Sequence, residues 1–111
     1  MKALAYVIAL AGFIAISTAV QAQGPLPKAE VTVTNGGRPQ SGVTVQLFIQ
    51  FQNTERFSAE FTTDSNGRVI FDRLRRNQAY IVRTVPEGDE AAREETFTTG
   101  PSGKTDLNLE I

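Results

Sequence analysis

The 111-residue chain has no histidine, no cysteine and no tryptophan, a single methionine and two tyrosines. Without imidazole or thiol it has no thiol nucleophile, no triad that needs a histidine, and few of the donors from which zinc sites are built. A strong charge of one sign is also lacking. Eleven basic side chains face twelve acidic ones, whereas a dedicated nucleic-acid binder carries a basic excess. Long apolar runs are missing after the first 22 residues. Those 22 hold 17 of the 45 hydrophobic residues, leaving 28 for the other 89, enough for one small core and one domain.

The apolar start reads as an address. Met1 and Lys2 are followed by the apolar run 3–16, and the segment closes on Val20-Gln21-Ala22. A positive start, an apolar run and small residues at the cut make a secretory signal. Residues 1–22 are therefore expected to be removed, Gln23 to begin the mature chain, and the protein to work in the periplasm or outside the cell. The competing reading is an uncleaved anchor, because residues 3–20 are just long enough to span a bilayer. Gly12 and Ser17-Thr18 interrupt that run, and no basic stop-transfer cluster follows. Membrane contact is expected only through this segment, if it is retained. Losing it removes Lys2 and leaves 10 basic against 12 acidic residues, a net charge of −2. Small exported domains commonly use disulfides; this one must rely on packing and strand pairing.

Residues 23–28 form a lead-in stiffened by Pro25 and Pro27, and the sandwich is expected over residues 29–111. Seven short strands are expected, at 29–34, 43–51, 57–63, 68–72, 79–85, 94–99 and 104–111. In the second, Val43, Val45, Leu47, Ile49 and Phe51 alternate with Thr44, Gln46, Phe48 and Gln50, a period-two pattern that puts one face in a core. Phe57, Ala59 and Phe61 alternate in the same way in the third. Turn residues separate the strands: Asn35-Gly36-Gly37, Asp64-Ser65-Asn66-Gly67, and Gly100-Pro101-Ser102-Gly103. No helical apolar stripe persists for ten residues. The pattern is all-β, a seven-stranded antiparallel sandwich of the Ig-like or prealbumin-like kind.

Two stretches carry a family resemblance. Asn35-Gly-Gly-Arg-Pro-x-x-Gly-Val-x-Val-x-Leu47 resembles the start of carboxypeptidase regulatory-like and Cna-B-like domains. Thr63-Asp64-x-Asn66-Gly67-Arg68-Val69-x-Phe71-x-x-Leu74, followed by Tyr80-x-Val82, is similar to their second half, and transthyretin-like domains share the layout. The resemblance implies a prealbumin-like sandwich serving as a spacer, stalk or accessory module on exported proteins; it is specific for fold and weak for function. Transthyretin-like hydrolases of the urate pathway use His and Arg with a C-terminal Tyr-Arg-Gly-Ser, whereas this chain has no His and ends Asn-Leu-Glu-Ile. Cna-B-like domains often join a Lys to an Asn with the help of a buried acid. Lys28, Asn108 and Glu60 are the residues such an isopeptide would use here. Asn108 stands between Leu107 and Leu109, however, and faces away from any core those leucines enter, so solvated Lys and Asn side chains are the preferred reading.

The remaining candidates are binding residues. Arg68, Arg73, Arg75 and Arg76 set four guanidinium groups within nine residues, a chemistry suited to phosphate, anionic glycan or lipid headgroup. The preferred reading is a solvated turn neutralised by the acidic loop of Glu87, Asp89, Glu90, Glu94 and Glu95. If the two patches lie at opposite ends of the sandwich, head-to-tail association of copies is expected, weakened by salt. Phe48, on the polar face between Gln46 and Gln50, either stacks on a sugar or is covered by the domain itself. Asp64-Ser65-Asn66-Gly67 resembles the opening of a calcium loop but lacks the distal acid, and a hairpin turn accounts for it. No cofactor and no metal are expected. The function expected is that of a non-enzymatic exported module contacting a protein or the cell envelope, with strand 94–99 as the edge for β-augmentation. The alternative is binding of an envelope glycan or other anionic polymer; no nucleic-acid partner is expected.

Overall fold

The computed structural model describes residues 24–111, and the expected signal segment 1–22 lies outside the described residues. Eight strands form two four-stranded sheets: β1 (Lys28–Asn35), β2 (Arg38–Pro39), β3 (Thr44–Phe51), β4 (Thr54–Thr62), β5 (Arg68–Phe71), β6 (Ala79–Thr84), β7 (Glu94–Thr98) and β8 (Lys104–Glu110). The second sheet is antiparallel in the order β4-β3-β6-β7. In the first, β8 runs along one side of β1, from Lys28 opposite Lys104 to Thr34 opposite Glu110. That leaves the other side of β1 for β5 against its first half and β2 against its end.

The sandwich is as expected, with two differences of detail. The eighth strand is β2, two residues inside the Asn-Gly-Gly loop, pinned where the Gln40 N–H donates to the Val33 carbonyl at 2.9 Å. The other difference is that β1 and β8 are parallel. The turn after β7 leaves the second sheet at the end where β1 begins, and the Lys28 N–H donates to the Gly103 carbonyl at 3.0 Å. So short a connection can start β8 only beside the start of β1, which fixes its direction.

Alternation builds the core. Val31 and Val33 of β1, Val45 and Leu47 of β3, Val69 and Phe71 of β5, Tyr80 and Val82 of β6, and Leu107 and Leu109 of β8 are all buried in one cluster. One sequence expectation fails in β4. Leu47 pairs with Ala59, but Phe48 pairs with Phe57, so Ser58 is an extra residue and the register shifts there. This bulge returns Ala59 and Phe61 to the inner face but sends Phe57 outward, beside Phe48. The same shift turns Arg56 towards the face of Ile49, its partner.

Candidate functional site

The connection between β5 and β6, residues 72–78, is held at one end of the sandwich by its own backbone. Leu74 is buried, and its N–H donates to the Pro27 carbonyl at 2.9 Å. Two core side chains grip the Arg75 backbone. Its N–H donates to the Tyr80 hydroxyl at 2.8 Å, and its carbonyl accepts from the Thr99 hydroxyl at 2.6 Å. Thr99 Oγ1 in turn accepts from the Gln78 N–H at 2.9 Å. Arg73 and Asn77 sit in the left-handed region, with φ of 56° and 50°.

This scaffold separates the four arginines. Arg68 lies at the far end of β5, with its Nε 3.5 Å from the Glu30 carboxylate. Arg76 is a clamp: its guanidinium donates to the carbonyls of Gly24 at 2.9 Å and Pro25 at 3.3 Å, and to that of Pro101. Arg73 and Arg75 stay together at the mouth of a cleft of about 350 Å³ whose walls include Leu47, Ile49, Phe71 and Tyr80. Asp72 also lines it. Beside this mouth the Phe51 ring carries two guanidinium groups, Arg75 at 5.7 Å and Arg56 at 5.6 Å from its centroid, each contact contributing about 0.5–1 kcal/mol at an exposed site. Among the described residues, no carboxylate lies within ion-pairing distance of Arg56, Arg73 or Arg75. Arg73 also borders a shallow groove of about 810 Å³ shared with Leu26, Lys28 and Lys104.

Arg56 is the member that sequence reading misses. Uninterrupted alternation puts it on the face of Ser58 and Glu60; only the bulge brings it to Phe51. The acids do not neutralise this end. Residues 86–93 follow β6, whereas the arginine connection precedes it, and six residues of strand separate the two by roughly 20 Å.

Phe48 is occupied by its own domain. Phe57 meets it edge-on at 5.9 Å, and Arg83 lies over its ring at 4.7 Å. Arg83 is itself fixed by Glu94 at 2.8 Å and Glu55 at 3.1 Å. Its pKa is raised above the ordinary arginine value, first by the hydrogen bond to Glu94. The structure also keeps the isopeptide residues apart. Lys28 stands opposite Lys104 and Asn108 opposite Thr32, four residues along the ladder, roughly 13 Å away. Glu60 belongs to the other sheet, accepting from Gln46 Nε2 at 3.0 Å. The calcium-like residues form a turn: Asp64 Oδ1 accepts from the N–H groups of Asn66 at 2.8 Å and Arg68 at 3.0 Å.

No protein-family model matches the chain, and neither does any curated protein. Solved structures do resemble it. The 5-hydroxyisourate hydrolase of Klebsiella pneumoniae is 17% identical with a TM-score of 0.56, over 77% of this chain and 84% of that one. Transthyretin from Sparus aurata is 16% identical with a TM-score of 0.54, over 66% of this chain and 76% of that one. The C-terminal domain of a shaft pilin from Lactobacillus rhamnosus GG is 13% identical with a TM-score of 0.53, over 75% of this chain and 95% of that one. The fold is therefore the transthyretin-like, prealbumin-like sandwich, which Cna-B-like pilin domains resemble. One expectation is corrected by these comparisons. The chain was expected not to be an enzyme, yet a hydrolase stands among its structural neighbours, so this architecture does support catalysis and the fold gives no ground for excluding it.

Proposed function

We propose that the chain is an exported β-sandwich binding module, carried to the periplasm or cell exterior by residues 1–22, that attaches to an anionic polymer of the cell envelope through the end bearing the β5–β6 connection. The observation that supports this most is that Arg56 and Arg75 both lie over Phe51 while Arg73 lines the adjoining cleft beside Arg75, with no carboxylate ion-paired to any of the three among the described residues. Guanidinium groups donate bidentately to carboxylate or phosphate oxygens, and three on one rim favour a polymer that offers several anions in a row. The acidic loop lies at the far end and orients the approach, leaving Asp72 as the carboxylate that lines the cleft with Arg73 and Arg75. A second reading, a protein partner adding a strand, is favoured by the position of β7 as the outer strand of its sheet.

Retention on immobilised polygalacturonate, against neutral dextran, tests the proposal. Retention at low salt that falls as salt rises, and is lost in the Arg56→Glu/Arg73→Glu/Arg75→Glu variant but kept in Glu87→Gln/Glu90→Gln, is the expected result. Equal retention of the triple variant, or none by the parent chain, overturns it.

A further inference from the structure

The cleft behind the arginine rim has features that an anionic polymer alone does not use. It opens between the sheets, where β4 and β5 are outer strands of different sheets and share no ladder, so buried core side chains such as Leu47, Phe71, Leu74 and Tyr80 line it together with the exposed Ser58, Phe61 and Asp72. Its floor is apolar, from Leu47, Ile49, Ala59 and Phe71. Opposite Val45, Leu47 and Ile49, β4 places Phe61, Ala59 and Arg56, with the small residue in the middle and both larger ones exposed to solvent. Among the described residues no buried side-chain nitrogen or oxygen lacks a hydrogen-bond partner, so the floor has no polar demand to meet. About 350 Å³ lies at the small end of ligand pockets.

The backbone at the lip adds an independent sign. Among the described residues the left-handed conformation is taken by seven glycines and by only three other residues, of which Arg73 is one. A residue with a Cβ is disfavoured there, and such strain collects at ligand clamps. A glycine would serve the turn better; the arginine supplies a cation at the mouth.

We infer that this cleft binds a small carboxylate with a short apolar tail, aromatic or aliphatic, its head held by Arg73 and Arg75 and its tail laid against Leu47, Ile49, Ala59 and Phe71. The site uses two arginines of the polymer-binding rim but needs the floor as well, which the polymer does not. That difference separates the two proposals.

The test uses 4-phenylbutyrate as probe, followed by amide chemical shifts and calorimetry, with 4-phenylbutanol (tail without charge) and acetate (charge without tail) beside it. Saturable shifts centred on Leu47, Ala59 and residues 73–75 are expected, with both control compounds weaker by about tenfold or more. Ala59→Phe fills the floor and is expected to abolish phenylbutyrate binding while retention on polygalacturonate persists. Arg73→Gly is expected to weaken phenylbutyrate by about tenfold while raising the melting temperature, because the left-handed strain is relieved. Failure of phenylbutyrate to saturate, equal binding of phenylbutanol, or unchanged binding in Arg73→Gly overturns the inference. If Ala59→Phe does not fold, Arg73→Gly decides the matter.

Discussion

Tyr80→Phe removes one oxygen atom and isolates what holds the arginine rim in place. The tyrosine is buried, its ring stacks on Phe97 at 5.6 Å with a 19° interplanar angle, and its hydroxyl accepts the Arg75 N–H at 2.8 Å. Phenylalanine keeps the stacking and core volume, so the whole effect falls on one hydrogen bond whose donor is left without its acceptor. Such an orphaned donor costs about 1–3 kcal/mol, or roughly 4–8 °C of melting temperature per kcal/mol in a domain of this size. Thr99→Val strikes the same residue's backbone from the other side, freeing the Arg75 carbonyl and the Gln78 N–H, and is expected to cost at least as much. Because both side chains grip Arg75, the two losses should not add, with a coupling of about 0.5–3 kcal/mol in a double-mutant cycle. Urea unfolding of the four chains, with polygalacturonate retention measured in parallel, reads both consequences. Each single variant should lose stability, and retention should fall because Arg75 is less well placed. Independent, additive losses with unaltered retention would refute the idea that this grip organises the rim.

Other outcomes follow from the same geometry. Gly67, at φ 74°, leaves no room for a Cβ, which would stand 2.8 Å from the Val33 carbonyl oxygen and 2.9 Å from the Gln40 nitrogen. Gly36, at φ 62°, has nothing within 4 Å; Gly36→Ala should therefore cost only the left-handed penalty of about 1–2 kcal/mol, and Gly67→Ala clearly more, by urea midpoint. The carboxyls of Asp64 and Glu110 are held below the usual carboxylate range, Asp64 first by the N–H groups of Arg68 and Asn66, Glu110 first by the Thr34 hydroxyl and then the Gly36 N–H. Unfolded carboxyls titrate near pH 4, so this stabilisation is complete above that range and is lost as pH falls through the folded values. Asp64→Asn should therefore be less stable than the parent at neutral pH, and the gap should narrow in acid. Intact mass should match the sum of the residues with no ammonia lost, since Lys28 and Asn108 lie four residues apart along the β1–β8 ladder.

Alternation made most of the fold legible. Val45 and Leu47, Tyr80 and Val82, and Leu107 and Leu109 occupy the inner faces their spacing requires, because a half-buried sheet imposes period two on any chain that forms it. The bulge at Ser58 was not legible. It changes the pairing by one residue and leaves the local alternation intact, yet it decides that Phe57 faces outward and Arg56 reaches Phe51. Proximity in sequence was also a poor guide to the rim. Arg68 to Arg76 look like one cluster, but a four-residue strand carries Arg68 to the other end and backbone carbonyls take Arg76. Which guanidinium groups converge depends on long side chains meeting across two sheets, and no one-dimensional spacing encodes that.

The decisive measurement maps the surface that an oligogalacturonate perturbs in the amide spectrum. Shifts gathered at Phe51, Arg56 and residues 73–75, fading as salt is added, are what the account requires. Shifts along Glu94–Thr98 or the acidic loop 86–93, with the arginine rim unmoved, would contradict it.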